Sequence, residues 1–278
     1  MWGLIPAAGI GSRIQPLAFS KELLPIGSRF DGNVERPRAV SEHLVDRLVR
    51  GGATKICFVI SPAKSDIIQY FSGEVDGLPV CYAVQPQALG LCDSLFRAAP
   101  FIGRDEAVLI GLPDTIWFPD DALARLADDR LSFLLFPVEQ PELFDAVVTG
   151  PDGTVQAIQV KQADATSSWI WGALKMPGVI FHALRTLWLE RGRQDEYLGT
   201  LVNAWLAAGG SAVGVRAGED YVDVGTLHGY RQATGLLEIK RSTGSEGSAG
   251  RVPPRRRGAA RAISVNAEGP APLETVKP

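Results

Sequence analysis

Short apolar runs alternate with helix-like patterns along most of this 278-residue chain, from residue 2 to about residue 237. The apolar runs of strand length cover residues 2–8, 55–60, 80–84, 107–112 and 131–138. Because these runs are continuously apolar, they are typical of strands that are covered on both faces. Helix patterns occupy residues 37–50, 61–71, 178–190 and 196–208. The alternation predicts an α/β fold, a Rossmann-like three-layer sandwich with a mostly parallel central sheet.

Two regions depart from this alternation. Three short runs, at 146–149, 154–160 and 169–174, surround the turn Pro151-Asp152-Gly153, which predicts a small antiparallel hairpin region. From about Arg241 the composition changes to Ser, Gly, Pro, Arg and Ala without apolar periodicity. We therefore expect one domain over residues 1–238 and a disordered C-terminal tail over residues 239–278.

Charge and composition exclude several classes of protein. The formal net charge is only −3, so the chain has no global basic field that would hold nucleic acid or a membrane surface. No stretch of 18 apolar residues is present, and no basic segment precedes the first apolar run as in a signal peptide. Three cysteines without CxxC spacing are typical of free thiols in a reducing compartment. A cytoplasmic protein with no membrane or nucleic-acid partner is expected.

A glycine-rich segment, Ala8-Gly9-Ile10-Gly11-Ser12-Arg13, follows the first predicted strand. Such a turn exposes backbone N–H groups to a polyphosphate, and side chains at its glycines would block that approach. A dinucleotide fingerprint requires a third glycine where Ile14 stands, and the GK[ST] sequence of kinase-type P-loops is absent. Arg13 and, eight residues later, Lys21 supply positive charge that suits a triphosphate.

The segment Ile5-Pro6-Ala7-Ala8-Gly9-Ile10-Gly11-Ser12-Arg13 is followed by Pro16 and by Lys21-Glu22-Leu23-Leu24-Pro25. Together these residues resemble the signature of the nucleoside-diphosphate-sugar pyrophosphorylases, the sugar-1-phosphate nucleotidyltransferases, and in particular of their thymidylyl- and uridylyltransferases. Further matching positions are Tyr82-Ala83-Val84-Gln85-Pro86, Gly90-Leu91, Leu112-Pro113-Asp114, Lys161 and Val222-Asp223-Val224-Gly225-Thr226. The resemblance covers residues 2–237 and not the tail.

The resemblance implies that a sugar 1-phosphate attacks the α-phosphorus of a nucleoside triphosphate, dTTP or UTP, and that pyrophosphate leaves. It implies catalytic roles for Arg13, Lys21 and Asp114, and Mg²⁺ ligands at Asp114 and Asp223. The expected binding partners are the nucleoside triphosphate and the sugar 1-phosphate. Because such enzymes tend to self-associate, the resemblance also implies a homo-oligomer. The implied nucleotide-binding residues are Ala8, Gly9, Gly11, Ser12, Arg13, Gln85 and Gly90. The implied sugar-phosphate-binding residues are Lys161 and Gly172, with Ala173 as the alternative to Gly172.

Independent reasoning from the residues supports two of these roles. Asp114 follows an apolar run, so it lies at the carboxyl end of a predicted strand, where α/β sheets bind ligands. The amide of Gln85 both donates and accepts hydrogen bonds, which matches the imide edge of thymine or uracil.

The chain departs from the family pattern at four places. The family's Glu-Lys-Pro motif reads Val160-Lys161-Gln162, and valine does not accept the hydrogen bonds that the glutamate receives from sugar hydroxyls. Asp93 stands where relatives often have Gln or His, and Pro113 replaces a common glycine. An extra stretch at 27–35 lengthens the loop after Pro25 and is a candidate lid or oligomer contact.

Three functions therefore remain open. The first is an active nucleotidyltransferase whose sugar differs from plain glucose. The second is a family relative that senses a sugar nucleotide with weak or no turnover, a reading that Val160 and Asp93 motivate. The third, a nicotinamide-dependent oxidoreductase, is disfavoured by Ile14.

Overall fold

The structure is a computed structural model that describes residues 1–243. The described strands are β1 (Trp2–Pro6), β2 (Pro25–Asp31), β3 (Val34–Ala39), β4 (Lys55–Ile60), β5 (Glu74–Val75), β6 (Leu78–Val84), β7 (Ala107–Gly111), β8 (Thr115–Phe118), β9 (Leu131–Pro137), β10 (Asp145–Thr149), β11 (Val155–Val160), β12 (Trp169–Pro177), β13 (Ala212–Val215) and β14 (Asp220–Asp223). The described helices are α1 (Val40–Arg50), α2 (Ser65–Phe71), α3 (Gly90–Arg97), α4 (Gly178–Glu190), α5 (Leu198–Ala207) and α6 (Leu227–Ser242).

Ten of the described strands form one mixed, largely parallel sheet, in the order β11-β10-β12-β7-β1-β4-β6-β5, with β9 joined to β12 and β13 joined to β9. Strands β7, β1, β4 and β6 are parallel neighbours. Strands β10, β11 and β12 pair antiparallel and make up the predicted hairpin region. The predicted α/β fold with these two parts is therefore confirmed.

Helices cover both faces of the sheet. Consecutive residues of β1, Leu4 and Ile5, are both fully buried but belong to different apolar clusters. Leu4 packs in the cluster that α3, α4 and α5 close, and Ile5 packs in the cluster that α1 and α2 close. Because side chains alternate along a strand, a strand buried on both faces requires a continuous apolar run, which the sequence supplies.

A two-stranded antiparallel ribbon, β8 with β14, lies outside the main sheet. Its register pairs Asp223 with Thr115, the residue after Asp114. The backbone N–H of Val224 donates to the carbonyl oxygen of Asp114 at 2.8 Å. The ribbon thus brings two acidic residues together that are far apart in the sequence.

Several element boundaries differ from the predicted ones. Helix α1 begins at Val40 rather than at residue 37, because Pro37 pairs with Ser28 in the β2–β3 hairpin. The extra stretch at 27–35 belongs to this hairpin and is not an irregular loop. Helix α2 begins at Ser65 rather than at residue 61. Helix α3 was not predicted.

The C-terminal boundary extends further than expected. Helix α6 runs to Ser242, so residues 239–242 of the predicted tail are helical. The remainder of that tail, 244–278, lies outside the described residues. Within residues 1–243, no helix is long and apolar enough to cross a membrane.

Candidate active site

The glycine-rich segment forms a loop between β1 and Lys21. A β-carbon added at Gly9 would meet no heavy atom within 4 Å, so the backbone there borders open space. Gly11 has a φ of +69°, and a β-carbon there would lie 2.6 Å from Cδ of Lys21. Glycine at position 11 therefore permits both the left-handed turn and the close passage of the Lys21 side chain. Ser12 and Arg13 are exposed on the same loop.

Both ends of this loop are anchored by residues just before and within α2. Lys64 Nζ donates to the carbonyl oxygen of Ala7 at 2.7 Å and to both carboxylate oxygens of Glu22 at 2.6 and 2.8 Å. Asp66 accepts hydrogen bonds from the backbone N–H and hydroxyl of Ser20. Burial raises the pKa of Glu22 and lowers the pKa of Lys64, against the attraction between the two charges. Sequence reasoning missed Lys64 and Asp66, since no motif contains them.

The anchoring places Lys21 against Asp114. Lys21 Nζ lies 2.5 Å from Asp114 Oδ2, and the two side chains are only 14% and 16% exposed. Burial disfavours the charged form of each group, but for each group the attraction of the opposite charge outweighs the effect of burial. The pKa of Asp114 is lowered by Lys21, and the pKa of Lys21 is raised by Asp114. Both groups are therefore charged at neutral pH.

A second ion pair lies beside the first. Arg13 Nη2 donates to Asp223 Oδ2 at 2.9 Å, and Asp223 Oδ1 accepts from the backbone N–H of Gly225 at 2.7 Å. A β-carbon added at Gly225 would lie 2.8 Å from Asp223 Oδ1, 3.0 Å from Arg13 Nη2 and 3.5 Å from Asp114 Oδ2. The two acids and Arg13 thus converge on one point, which only glycine leaves open.

This acidic pair fits a hard divalent cation that substrate also binds. Mg²⁺ is usually held by one or two carboxylates together with substrate phosphates. Within residues 1–243, no cluster of three or more His, Cys, Asp or Glu residues could hold a metal by itself. Asp114 and Asp223 would therefore need further oxygen ligands, such as those of a substrate phosphate group.

The residues expected at the base form a separate cluster. Gln85 is 3% exposed, and its Nε2 donates to Gly90 O at 3.1 Å and to Asp93 Oδ2 at 2.9 Å. Arg97 donates to both oxygens of Asp93, at 2.9 and 3.2 Å. The unusual acid at position 93 is therefore paired with a cation and also fixes the orientation of the Gln85 amide.

Gly90 has a packing reason of its own. Its φ is +90°, and a β-carbon there would lie 2.3 Å from Cγ of Glu196. The carbonyl oxygen of Glu196 accepts hydrogen bonds from the N–H groups of Leu91 and Cys92, so the first turn of α3 sits directly against it. Glycine is required at this position whether or not a base lies nearby.

The residues expected at the sugar lie at the end of β11 and on β12. Lys161 has a φ of +46°, and its Nζ lies 4.6 Å from the centroid of the Tyr197 ring. Gly172 occupies a bulge in the β12–β9 pairing, and a β-carbon there would lie 2.4 Å from Cε2 of Tyr221. Ala173, the alternative to Gly172, is fully buried and pairs with both neighbouring strands.

Comparison with known proteins identifies the family of this chain. The family model described as "Nucleotidyl transferase" matches residues 2–239. A UTP–glucose-1-phosphate uridylyltransferase of Haloferax volcanii is 27% identical over 255 residues, covering 88% of this chain and 100% of that protein. A glucose-1-phosphate thymidylyltransferase of Mycolicibacterium smegmatis is 25% identical over 251 residues, covering 85% of this chain and 82% of that protein.

Solved structures show the same fold. The UTP-bound UGPase of Acinetobacter baumannii superposes with a TM-score of 0.68 at 19% identity, covering 87% of this chain and 98% of that chain. The family match spans the whole described α/β domain apart from its last few residues. This chain belongs to the nucleotidyl transferase family, among the sugar-1-phosphate nucleotidyltransferases.

Proposed function

We propose that this chain transfers a nucleotidyl group from dTTP or UTP to a sugar 1-phosphate, giving a nucleoside-diphosphate sugar and pyrophosphate. The observation that carries this proposal is the convergence of Arg13, Lys21, Asp114 and Asp223 at the glycine-rich loop, where Gly11 borders the Lys21 side chain. Two cations and two acids at a glycine-rich loop match the needs of a triphosphate and its metal ion.

The reaction needs positioning and charge neutralisation rather than a general base. The second pKa of a phosphate monoester is about 6, so the sugar phosphate is mostly a dianion at neutral pH. One of its oxygens attacks the α-phosphorus, and pyrophosphate departs from the opposite side. Lys21 offers a point charge to the α-phosphate, and the exposed guanidinium of Arg13 offers a bidentate contact to the departing pyrophosphate.

Asp114 and Asp223 would hold Mg²⁺, which supplies positive charge to the triphosphate when it is bound. Enzymes of this family typically use a divalent metal. In the described geometry each acid already has a cation beside it, so the local charges balance. Substrate binding would exchange these ion pairs for contacts between the cations and phosphate oxygens.

The orientation of Gln85 supports a thymine or uracil base. Both hydrogens of its Nε2 are directed to acceptors, Gly90 O and Asp93 Oδ2, which leaves Oε1 as the free acceptor. Thymine and uracil present an N3–H donor, whereas the corresponding ring nitrogens of cytosine and adenine are acceptors. Asp93 is an acceptor only, so a flipped amide would place two oxygens together. Both dTTP and UTP satisfy this contact, in line with the uridylyl- and thymidylyltransferases that the chain resembles.

A sensor of sugar nucleotides with weak turnover is the second candidate. It is favoured by one observation, that Val160 presents two methyl groups where the family carries a sugar-binding glutamate. A sensor would be stabilised by a nucleoside-diphosphate sugar in thermal denaturation without releasing pyrophosphate from any substrate pair.

The test is a matrix of nucleoside triphosphates against sugar 1-phosphates, read by pyrophosphate release with and without Mg²⁺. We expect release with dTTP or UTP, dependence on Mg²⁺, and little release with CTP or ATP. Absence of release from every pair, combined with stabilisation by a nucleoside-diphosphate sugar, would favour the sensor.

A further inference from the structure

Asp145 and Val160 lie directly opposite each other in the antiparallel pair β10–β11. Asp145 is the first residue of β10, and Val160 is the last residue of β11, one position before Lys161. Residues that face each other in such a pair point to the same side, with β-carbons about 4.5–5.5 Å apart. The carboxylate at position 145 therefore projects from the same side of the sheet as a glutamate at position 160 would. It starts from the neighbouring strand.

The carboxylate of Asp145 has few partners for a partly buried acid. Among residues 1–243, its one recorded hydrogen bond is a long one, 3.4 Å from Trp171 Nε1. Two structural acids nearby, Asp93 and Asp195, each receive two hydrogen bonds from an arginine four residues away. Burial raises the pKa of Asp145, and Trp171 and Lys161 only partly offset this effect. An acid held in this way has capacity to accept further hydrogen bonds.

The residue before Asp145 contacts the ribbon that carries Asp223. The ring of Phe144, the preceding residue, packs edge-on against Tyr221 with centroids 5.8 Å apart. On the other side, the backbone N–H of Lys161 donates to Phe144 O at 3.0 Å. Phe144, the residue before Asp145, thus connects Tyr221 of the β8–β14 ribbon with the candidate phosphate-binding lysine.

Val160 and Asp145 both face the first turn of α5. A β-carbon added at Gly199, in the first turn of α5, would lie 2.7 Å from Cγ2 of Val160 and 3.3 Å from Oδ2 of Asp145. Val160 therefore packs against α5 as an apolar residue. Two acids directly opposite each other on this pair would repel, so one carboxylate is the compatible number.

We propose that Asp145 is the specificity-determining residue that accepts hydrogen bonds from the sugar ring's hydroxyl groups, in place of the carboxylate missing at position 160. This role rests on the proposed function and deepens it. The acceptor is shorter than glutamate and comes from the neighbouring strand, so it meets a different part of the ring. The substrate class is a hexose 1-phosphate that carries a hydroxyl donor there. A deoxy analogue at that carbon leaves the carboxylate without a partner and is rejected.

The experiment compares Asp145→Asn, Asp145→Ala, Val160→Glu and the double variant Asp145→Ala/Val160→Glu with the wild type. Pyrophosphate release is measured on α-D-glucose 1-phosphate, other hexose 1-phosphates and their deoxy analogues, with KM determined separately for sugar and nucleotide. Asp152→Asn is the matched control, because Asp152 is an exposed acid in the turn of the same hairpin. Binding of UDP and of UDP-glucose is measured by calorimetry, and folding is checked by thermal denaturation.

We expect Asp145→Ala to raise KM for the sugar 1-phosphate about 10- to 100-fold, with KM for the nucleotide within about twofold. The same substitution should weaken binding of UDP-glucose by a similar factor and leave binding of UDP unchanged. The double variant should recover part of the loss and shift the preferred hexose, and Asp152→Asn should match the wild type.

An unchanged sugar KM in both Asp145 variants, with an active wild type, would overturn this role and leave the proposed function intact. Two results would assign Asp145 a structural role instead. One is that KM for the sugar and KM for the nucleotide rise equally. The other is that Asp145→Ala loses its melting transition while Asp145→Asn keeps wild-type kinetics. If the wild type released no pyrophosphate from any pair and bound UDP-glucose no better than UDP, the proposed function itself would fail.

Discussion

The ammonium nitrogen of Lys21 lies 2.5 Å from a carboxylate oxygen of Asp114, and both side chains are largely buried. The contact joins the turn after the glycine-rich loop to the end of β7. It exists because Gly11 lets the lysine stem pass and because Lys64 and Asp66 anchor both ends of the loop. Substitutions at Lys21, at the two loop glycines and at Lys64 each remove one part of this arrangement.

Replacing Lys21 by methionine removes the charge and keeps most of the stem. We expect Lys21→Met to lower kcat about 100- to 1000-fold, the size of effect seen when one electrostatic contact to a developing charge is lost. The pKa of Asp114 should rise, because the lysine no longer opposes the effect of burial. Lys21→Arg keeps the charge and should retain more activity than methionine. If the kcat of Lys21→Met were within threefold of the wild-type value, the charge of Lys21 would not contribute to the reaction.

Two glycines of the loop offer a matched pair. Gly11→Ala forces an alanine to a φ of +69° and drives its methyl group into the Lys21 stem, so we expect a loss of about 1–2 kcal/mol in unfolding free energy. Gly9→Ala meets no neighbour and should leave stability unchanged, yet raise KM for the nucleotide because its methyl group enters the phosphate space. Urea unfolding and steady-state kinetics separate the effects. Equal stability losses in both variants would show that the conformation of Gly11 is unimportant.

Replacing only one member of the buried Lys64–Glu22 pair should lower the free energy of unfolding substantially. Lys64→Met leaves a fully buried carboxylate without its cation, and we expect about 3–5 kcal/mol of destabilisation in urea unfolding. The double variant Lys64→Met/Glu22→Gln removes the unpaired charge and should recover part of this loss. Arg130→Met breaks an exposed pair and is the control, with no measurable change expected. A double variant no more stable than the single one would contradict the account of this pair.

Glu106 should make part of the stability depend on pH. Burial raises its pKa, but hydrogen bonds from Lys55, Gly103 N–H and Trp2 Nε1 lower it more, to about 2. The folded state therefore favours the carboxylate, and the stabilisation is present above the unfolded pKa of about 4.5 and is lost as pH falls towards 2.

We expect Glu106→Gln to cost about 1–2 kcal/mol at pH 7, after allowance for solvent screening of a partly exposed pair. The difference from wild type should shrink steadily between pH 5 and pH 2 in urea titrations. A difference that stays constant across that range would mean that the carboxylate charge does not contribute.

The sequence was most informative where the site is contiguous. The glycine-rich loop and its two cations lie within one short segment after a strand, so local spacing revealed them. The neighbourhood of Asp114 and Asp223 came only from family resemblance, because the ribbon that joins them pairs distant strands. Lys64 had no signal at all, since its partners, Ala7 and Glu22, are separated from it by three strands and a helix.

The local sequence pattern did not predict elements whose amino-acid composition is typical of loops. The β2–β3 hairpin lies in a stretch rich in Gly and Pro, and its tight turn uses Gly32 at a φ of +62°. The Asp31-Gly32 pair was the available signal for that turn. Helix α3 is only eight residues long and begins at a glycine with a φ of +90°, which obscured its start.

The most direct test of the central claim is Mg²⁺-dependent pyrophosphate release from UTP or dTTP with a panel of sugar 1-phosphates, by wild type and Asp114→Asn. We expect the wild type to release pyrophosphate with at least one sugar and the variant to lose at least 100-fold in kcat. Equal release by wild type and Asp114→Asn, or no release by the wild type with any pair, would contradict nucleotidyl transfer at this site.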